Sequence, residues 1–314
     1  MSDPLQLETQ VRCGVIASGE GREPLLKLAR RVEEAGFDSL WVGDHVSFYV
    51  PIMESLSLLS FLAAATERVR LGTSVYLMPL RHPTITAKMT STLDVLSGGR
   101  LALGVGVGGE FPPEFEATGV DLSERGSRTD EGIEILRKLW REDAVTHAGR
   151  HFQFGPISIN PKPIQEGGPR VLVGGRKPPA IRRAGRLGDG YISHMCSPEM
   201  YSAHLEQIRK HASQAGRKNV AFETLTFIFT LLDQNYEAAL DRAGTMLGTI
   251  YNRPFHDAAK KYCLLGKPED CLEQMRAFAK AGSRHFILAP LSDAFEFVER
   301  VEKQILPELR QISV

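Results

Sequence analysis

Apolar residues in this chain come in short runs, separated by stretches in which they recur at helical spacing. The clearest case lies between Arg70 and Glu110. Leu71 to Met78 and Leu101 to Val107 are too apolar for strands with one wet face, so both read as parallel strands buried on two sides. Between them Pro83 stands where a helix begins and Gly98-Gly99 where it ends, and the whole is a βαβ crossover. The second strand runs out into Gly104, Gly106, Gly108 and Gly109, which leaves bare backbone at the carboxyl end of the sheet, where α/β folds keep ligands.

The rest of the chain repeats this unit. Val11 to Ser18 reads as a first strand, and Glu23 to Ala35 as a helix with Leu25, Leu28, Ala29 and Val32 on one face. A glycine cap feeding a buried strand occurs at Gly36, again at Gly188 and again at Gly282. Helices are expected at Glu54 to Thr66, Thr129 to Trp140, Pro179 to Leu187, from Ser197 onward, at Pro268 to Ala281 and at Phe295 to Leu309. Strands are expected at Arg170 to Val173, Gly190 to His194, Phe222 to Leu232 and His285 to Pro290. Glu110 to Arg128 has no sustained period and reads as an inserted loop over the glycine-rich strand end; Val145 to Pro163 reads as an inserted β-hairpin, and Tyr236 to Tyr262 as irregular helix. Eight short strands alternating with helices predict one α/β domain over residues 1–314, a (β/α)8 TIM barrel with insertions, in preference to an open doubly wound sheet.

Composition narrows the function. Lys plus Arg and Asp plus Glu are both 38, so no charge excess calls for nucleic acid or an anionic membrane. No apolar run approaches the roughly 18 residues of a membrane span, and MSDPLQLETQ does not read as a secretion signal, so a cytoplasmic protein is expected. Cys13, Cys196, Cys263 and Cys271 are scattered without a CxxC pair, which fits reduced thiols and no metal site. The remaining partner is a small-molecule substrate; the sequence leaves the number of subunits open, a homodimer included.

Candidate chemistry gathers at strand ends. Asp44-His45 follows the second strand, where an imidazole exchanges a proton near neutral pH and a carboxylate orients it, although adjacent residues share a pocket only if the strand has already ended. Glu110 either faces the ligand or simply ends its strand. Gly106, Gly108 and Gly109, with Gly174, Gly175 and Arg176, make two bare strand ends, the second running into a helix whose amino end suits a phosphate. His82, His194 and Arg128 approach the same mouth, each equally suited to a scaffold role.

Five segments in order, GTSVYLMPLRHP, LDVLSGGRLALGVGVGGE, FEATGVDLSERGSRTDEGIEILRKLW, NPKPIQEGGPRVLVGG and RRAGRLGDGYIS, resemble the bacterial luciferase-like flavin-dependent oxidoreductases. Asp44-His45 and Ser74-Val75 look like the branch that uses the deazaflavin coenzyme F420. The resemblance implies hydride transfer between F420 and a small organic substrate, with His45, Asp44 and Glu110 as catalytic candidates. It also implies a cis Ser74-Val75 peptide pressing on the cofactor ring, and a phosphate near Gly174, Gly175 and Arg176. An FMN-dependent monooxygenase using molecular oxygen is the alternative on the same scaffold. A flavin-binding protein without turnover would keep the glycines but have no need of Asp44-His45.

Overall fold

The structure is a computed structural model and describes residues 3–17 and 21–312. Eight parallel strands close a ring: β1 (Arg12–Ile16), β2 (Ser39–Val42), β3 (Arg70–Thr73), β4 (Leu101–Gly106), β5 (Arg170–Gly174), β6 (Gly190–Ser193), β7 (Val220–Leu232) and β8 (His285–Pro290). The pairing of β8 with β1, Leu288 opposite Val15, seals the barrel. Ser18, the expected end of the first strand, lies outside the described residues.

Helices follow the strands and cover them: α1 (Arg22–Glu34), α2 (Ser55–Ala63), α3 (Pro83–Leu96), α4 (Pro112–Ala117), α5 (Arg125–Arg141), α6 (Pro178–Leu187), α7 (Pro198–Gln214), α8 (Tyr236–Tyr251), α9 (His256–Tyr262), α10 (Pro268–Lys280), α11 (Ala294–Gln304) and α12 (Leu306–Leu309). Local chemistry sets several starts. Glu54 caps α2 by accepting from Leu56 N and Ser57 N, and Ser197 caps α7 through Met200 N. Proline opens α3, α6, α7 and α10.

The barrel interior decides where a ligand can go. Trp41, Ala102, Leu172, Ile192, Leu225 and Ile287 fill its middle. The Trp41 ring lies over Gly72, its partner on the neighbouring strand, so closely that a Cβ there would sit 2.2 Å from the ring. Its Nε1 donates to Ser39 Oγ (2.6 Å), which also meets His285 Nε2 at 2.6 Å. With the middle packed and the amino end crossed by the Arg70–Glu223–Arg170 ion pairs, an inward-facing site falls above that layer, at the carboxyl ends of the strands.

Three expectations change. The run Leu71 to Met78 is not one strand: β3 stops at Thr73, Tyr76–Leu77 pairs separately with β4, and Met78–Leu80 is a 3-10 turn. Glu110 to Arg128 is not a plain loop, because Pro112-Pro113 start α4, and the helix expected at Thr129 begins at Arg125. Tyr236 to Tyr262 is two helices, parted at Asn252 with its left-handed backbone (φ 49°). The hairpin is present as Val145–Ala148 against Gln153–Ile157. No helix of the described residues is long and apolar enough to cross a membrane.

Candidate active site

Asp44 leaves β2 two residues past its end and is buried at 3% exposure. Its Oδ1 accepts from Ser55 Oγ (3.0 Å) and Arg81 Nη2 (2.8 Å), and its Oδ2 from Leu77 N (2.8 Å) and Arg81 Nη1. Arg81 in turn lies 4.7 Å from the ring centroid of Tyr76, whose phenol burial pushes up to about 12. Asp44 therefore clamps the end of β2 to the segment beyond Ser74-Val75. The expectation that it orients His45 is corrected: all its acceptor capacity is spent elsewhere.

The carboxylate on His45 belongs to Glu114. Both its oxygens lie 3.2 Å from His45 Nδ1, and Oε2 also accepts from Val46 N at 3.1 Å. Glu114 is fully buried on α4, while the His45 side chain keeps 15% of its surface. With Nδ1 engaged and one ring face stacked on Phe48 (3.9 Å between centroids), Nε2 is the nitrogen left for a ligand. Glu110 is exposed at the entrance, close enough to Tyr251 that its charge adds to burial in raising that phenol. Sequence reasoning missed Glu114, and the one available signal was Pro112-Pro113 as a helix start with an acid in its first turn.

The glycines divide into two kinds. A Cβ on Gly106 would lie 2.3 Å from Val75 Cγ2, and one on Gly174 2.5 Å from Val75 Cγ1. These two glycines make room for Val75, which the cis Ser74-Val75 peptide places against the barrel wall. Gly43, above Trp41 on β2, is different, for a Cβ there would meet nothing within 4 Å. Gly108 (φ 62°) and Gly109 (φ 115°) need the left-handed region to turn the chain out of β4. Beside Gly109 lies Arg125 Nε, buried and without a partner among the described residues.

At the end of β5, Gly175 N donates to Ile192 O (3.2 Å), and Pro178 and Pro179 bring no N–H. Ala180 N turns back to Lys177 O. This helix start consequently offers an anion the backbone of Arg176 and Lys177, fewer donors than a proline-free turn. The Arg176 guanidinium donates to Met195 O at 3.1 Å.

The opposite arc is aromatic. His194 packs on Phe227 (5.3 Å) and Phe229 (6.0 Å) of β7, and burial, with Arg176 and Arg253 beside it, lowers its imidazole to about 4, so it is neutral at physiological pH. His82 caps α3 by accepting from Thr84 N, and Arg128 donates to Pro79 O and lies over Phe152; both hold scaffold.

Bare backbone on one side of the mouth and a histidine on a buried carboxylate put titratable and ligand-accessible groups at the rim where (β/α)8 enzymes keep their chemistry. The chain belongs to the luciferase-like monooxygenase family, whose sequence model matches residues 6–285. It is 30% identical to the F420-dependent glucose-6-phosphate dehydrogenase of Rhodococcus erythropolis, over 97% of this chain and 99% of that protein. It is 29% identical to the protein of the same name from Amycolatopsis mediterranei, over 96% and 100%. Among solved structures, an F420-dependent secondary alcohol dehydrogenase in complex with an F420-acetone adduct superimposes with a TM-score of 0.86 at 23% identity, covering 96% of this chain and 100% of that one.

Proposed function

We propose that the protein is an oxidoreductase that moves a hydride between coenzyme F420 and a small organic substrate, with His45 exchanging the substrate's proton. The observation that carries this reading is the His45 to Glu114 pair, with Nε2 free at the mouth of a barrel whose relatives over nearly the full chain are named as F420-dependent dehydrogenases. The mouth suits such a cofactor: the empty space above Gly43 and the low wall of Val75, Gly106 and Gly174 make a cradle for a flat ring. We assign the ring's support to Ser74 and Val75, and its anionic groups to the turns at Gly108-Gly109 and Gly175-Arg176. The deazaflavin supplies the two-electron chemistry when bound.

The chain's own part is proton handling and positioning. Glu114 fixes the ring plane of His45 and favours a proton on Nδ1, so Nε2 accepts a hydroxyl proton in oxidation or returns one in reduction. Asp44 and Arg81 hold the two strand ends that carry His45 and Val75 at a fixed separation. Glu110 at the entrance meets whatever enters. Four buried, unpaired thiols suit a reducing cytosol.

The test titrates the purified protein with F420 and with FMN, then compares turnover of the wild type with His45→Gln. F420 should bind, and the variant should lose roughly 100-fold in turnover while F420 affinity stays within a few fold. Tight FMN binding without F420 binding would replace this reading with the monooxygenase one, and turnover near wild type would remove His45 from the chemistry.

A further inference from the structure

We propose that the substrate site takes an uncharged, flat, apolar alcohol or ketone, and is not built for a sugar phosphate. The proposal rests on the hydride-transfer reading for the reaction and on ring geometry for the substrate. From His45 a continuous row of rings crosses the mouth. Phe48 stacks on His45, meets Phe111 edge to face at 6.2 Å and Tyr251 at 6.0 Å, and Tyr251 meets Phe229 at 6.3 Å. These rings come from four separate elements, namely the loop after β2, the entry to α4, the end of α8, and β7.

Phe48, Phe111, Phe229 and Tyr251 are all half-buried, whereas Trp41, Phe115, Phe222 and Phe286 are sealed in the core. The loop beside them continues the surface. In Val46 to Met53 every residue but Ser47 is apolar or aromatic, and Val46 (48%), Tyr49 (44%) and Met53 (45%) stand exposed. Apolar side chains concentrated in one loop at a site mark a surface that a ligand covers. An open hollow of about 420 Å³ lies over this loop, lined by His45 through Ile52 alone, so the loop presents a surface beside the ring row and not a closed chamber.

Charge points the same way. The residues lining that hollow include no Lys or Arg. Of the nearby cations, Arg81 is bound to Asp44, Arg125 and Arg176 stand at the two turns assigned above to the cofactor's anionic groups, and Arg253 lies over the Tyr251 and Phe255 rings at 5.6 and 5.5 Å. A phosphate placed against Phe48 and Tyr49 would lose its water without gaining a partner, whereas an aryl ring would gain stacking and edge contacts. The relatives named for glucose 6-phosphate match this chain over nearly its full length, and on its own rings and cation placement the surface beside His45 fits an uncharged ring better than a sugar phosphate.

The experiment measures, by calorimetry, the binding of acetophenone, 1-phenylethanol and glucose 6-phosphate to the protein with and without saturating F420, and KM for 1-phenylethanol in oxidation and acetophenone in reduction. The same measurements are made on Phe48→Ala, Tyr251→Ala and the milder Phe48→Leu, with thermal unfolding and F420 affinity as controls. We expect the aryl compounds to bind and glucose 6-phosphate not to. Each alanine variant should weaken aryl binding roughly 10-fold, with F420 affinity within a few fold of wild type. Phe48→Leu, which keeps apolar bulk without the ring, covers the case in which an alanine variant fails to fold, and should show a smaller loss of the same sign. Glucose 6-phosphate binding at ordinary substrate affinity, or aryl binding unchanged in the folded variants, overturns the proposal. Failure of F420 to bind would sink the hydride-transfer reading instead, and the calorimetric ranking of aryl against phosphate ligands would still decide the substrate class.

Discussion

Gly106→Ala puts one methyl group where Val75 already is. The added Cβ would lie 2.3 Å from Val75 Cγ2 and 3.3 Å from Val75 Cβ. Carbon atoms rest at about 3.5 to 4.0 Å, so the overlap exceeds an ångström and something must move. Gly106 is buried in a central strand paired on both sides, with Leu77 opposite it, so Val75 yields rather than β4. Overpacking of this size costs about 1 to 3 kcal/mol. If Val75 is the floor of the cofactor cradle, most of that cost appears as lost F420 affinity, roughly 5- to 150-fold. Gly174→Ala, whose Cβ would meet Val75 Cγ1 at 2.5 Å, should behave alike. The double variant Gly106→Ala/Val75→Ala removes both γ carbons and should recover much of the loss, which a double-mutant cycle reads as a coupling of about 1 kcal/mol or more. F420 fluorescence titration gives affinity, and thermal unfolding run in parallel separates it from stability. Affinity within twofold of wild type in Gly106→Ala, or no recovery in the double variant, would refute the reasoning.

Three further outcomes follow from the same geometry. Asp44→Ala leaves the Arg81 guanidinium without its bidentate partner beside a buried wall, and should cost about 3 kcal/mol of stability by denaturant titration; an unchanged midpoint would show that the pair is not a clamp. His194 titrates near 4 folded against an ordinary 6.5, so the unfolded chain binds the extra proton between those values. Stability should therefore be full above about 6.5 and fall as the pH drops toward 4. His194→Phe should flatten that slope relative to wild type, and His285, which burial also lowers, stays in both proteins and cancels in the comparison. Glu114→Gln puts an amide where His45 Nδ1 has a carboxylate, which favours the wrong tautomer; turnover should fall roughly 100-fold or more with KM little changed, and steady-state kinetics showing wild-type turnover would break the pairing.

Much of the barrel was legible because its strands are buried on both faces and its helices on one. Leu101 to Val107 and His285 to Pro290 read as strands from apolar runs alone and fall within a residue or two of where the structure has them. The places that misled are where local chemistry overrode the run. Leu71 to Met78 is an apolar run interrupted only by Thr73-Ser74, where its chain turns; two hydroxyl residues inside a strand-like run are too slight a mark to foretell that turn, and the expectation of the cis peptide came from family resemblance. The short strands Leu5–Leu7 and Leu264–Gly266 pair with the unusually long β7, and three residues are too few to show a period.

The site was legible as types but not as pairs. His45 stood out because a strand end, a titratable ring and a family motif coincide there, and the structure does place it at the mouth. Asp44 stood out for the weaker reason of adjacency, and adjacency is a poor guide where a strand has just ended: the backbone turns, and Asp44 goes inward to Arg81 while His45 goes toward Glu114, 69 residues away. Glu114 was hidden for a physical reason. It sits in a six-residue helix too short to show a hydrophobic period, and it is buried, as few lone carboxylates are, by its bonds to the His45 ring and Val46 N. The aromatic row was hidden in the same way, since Phe48, Phe111, Phe229 and Tyr251 are spread across the chain and become one surface only when the barrel closes. A surface assembled from loops of different strands leaves no spacing in the sequence, whereas bare backbone at strand ends leaves its glycines in plain view.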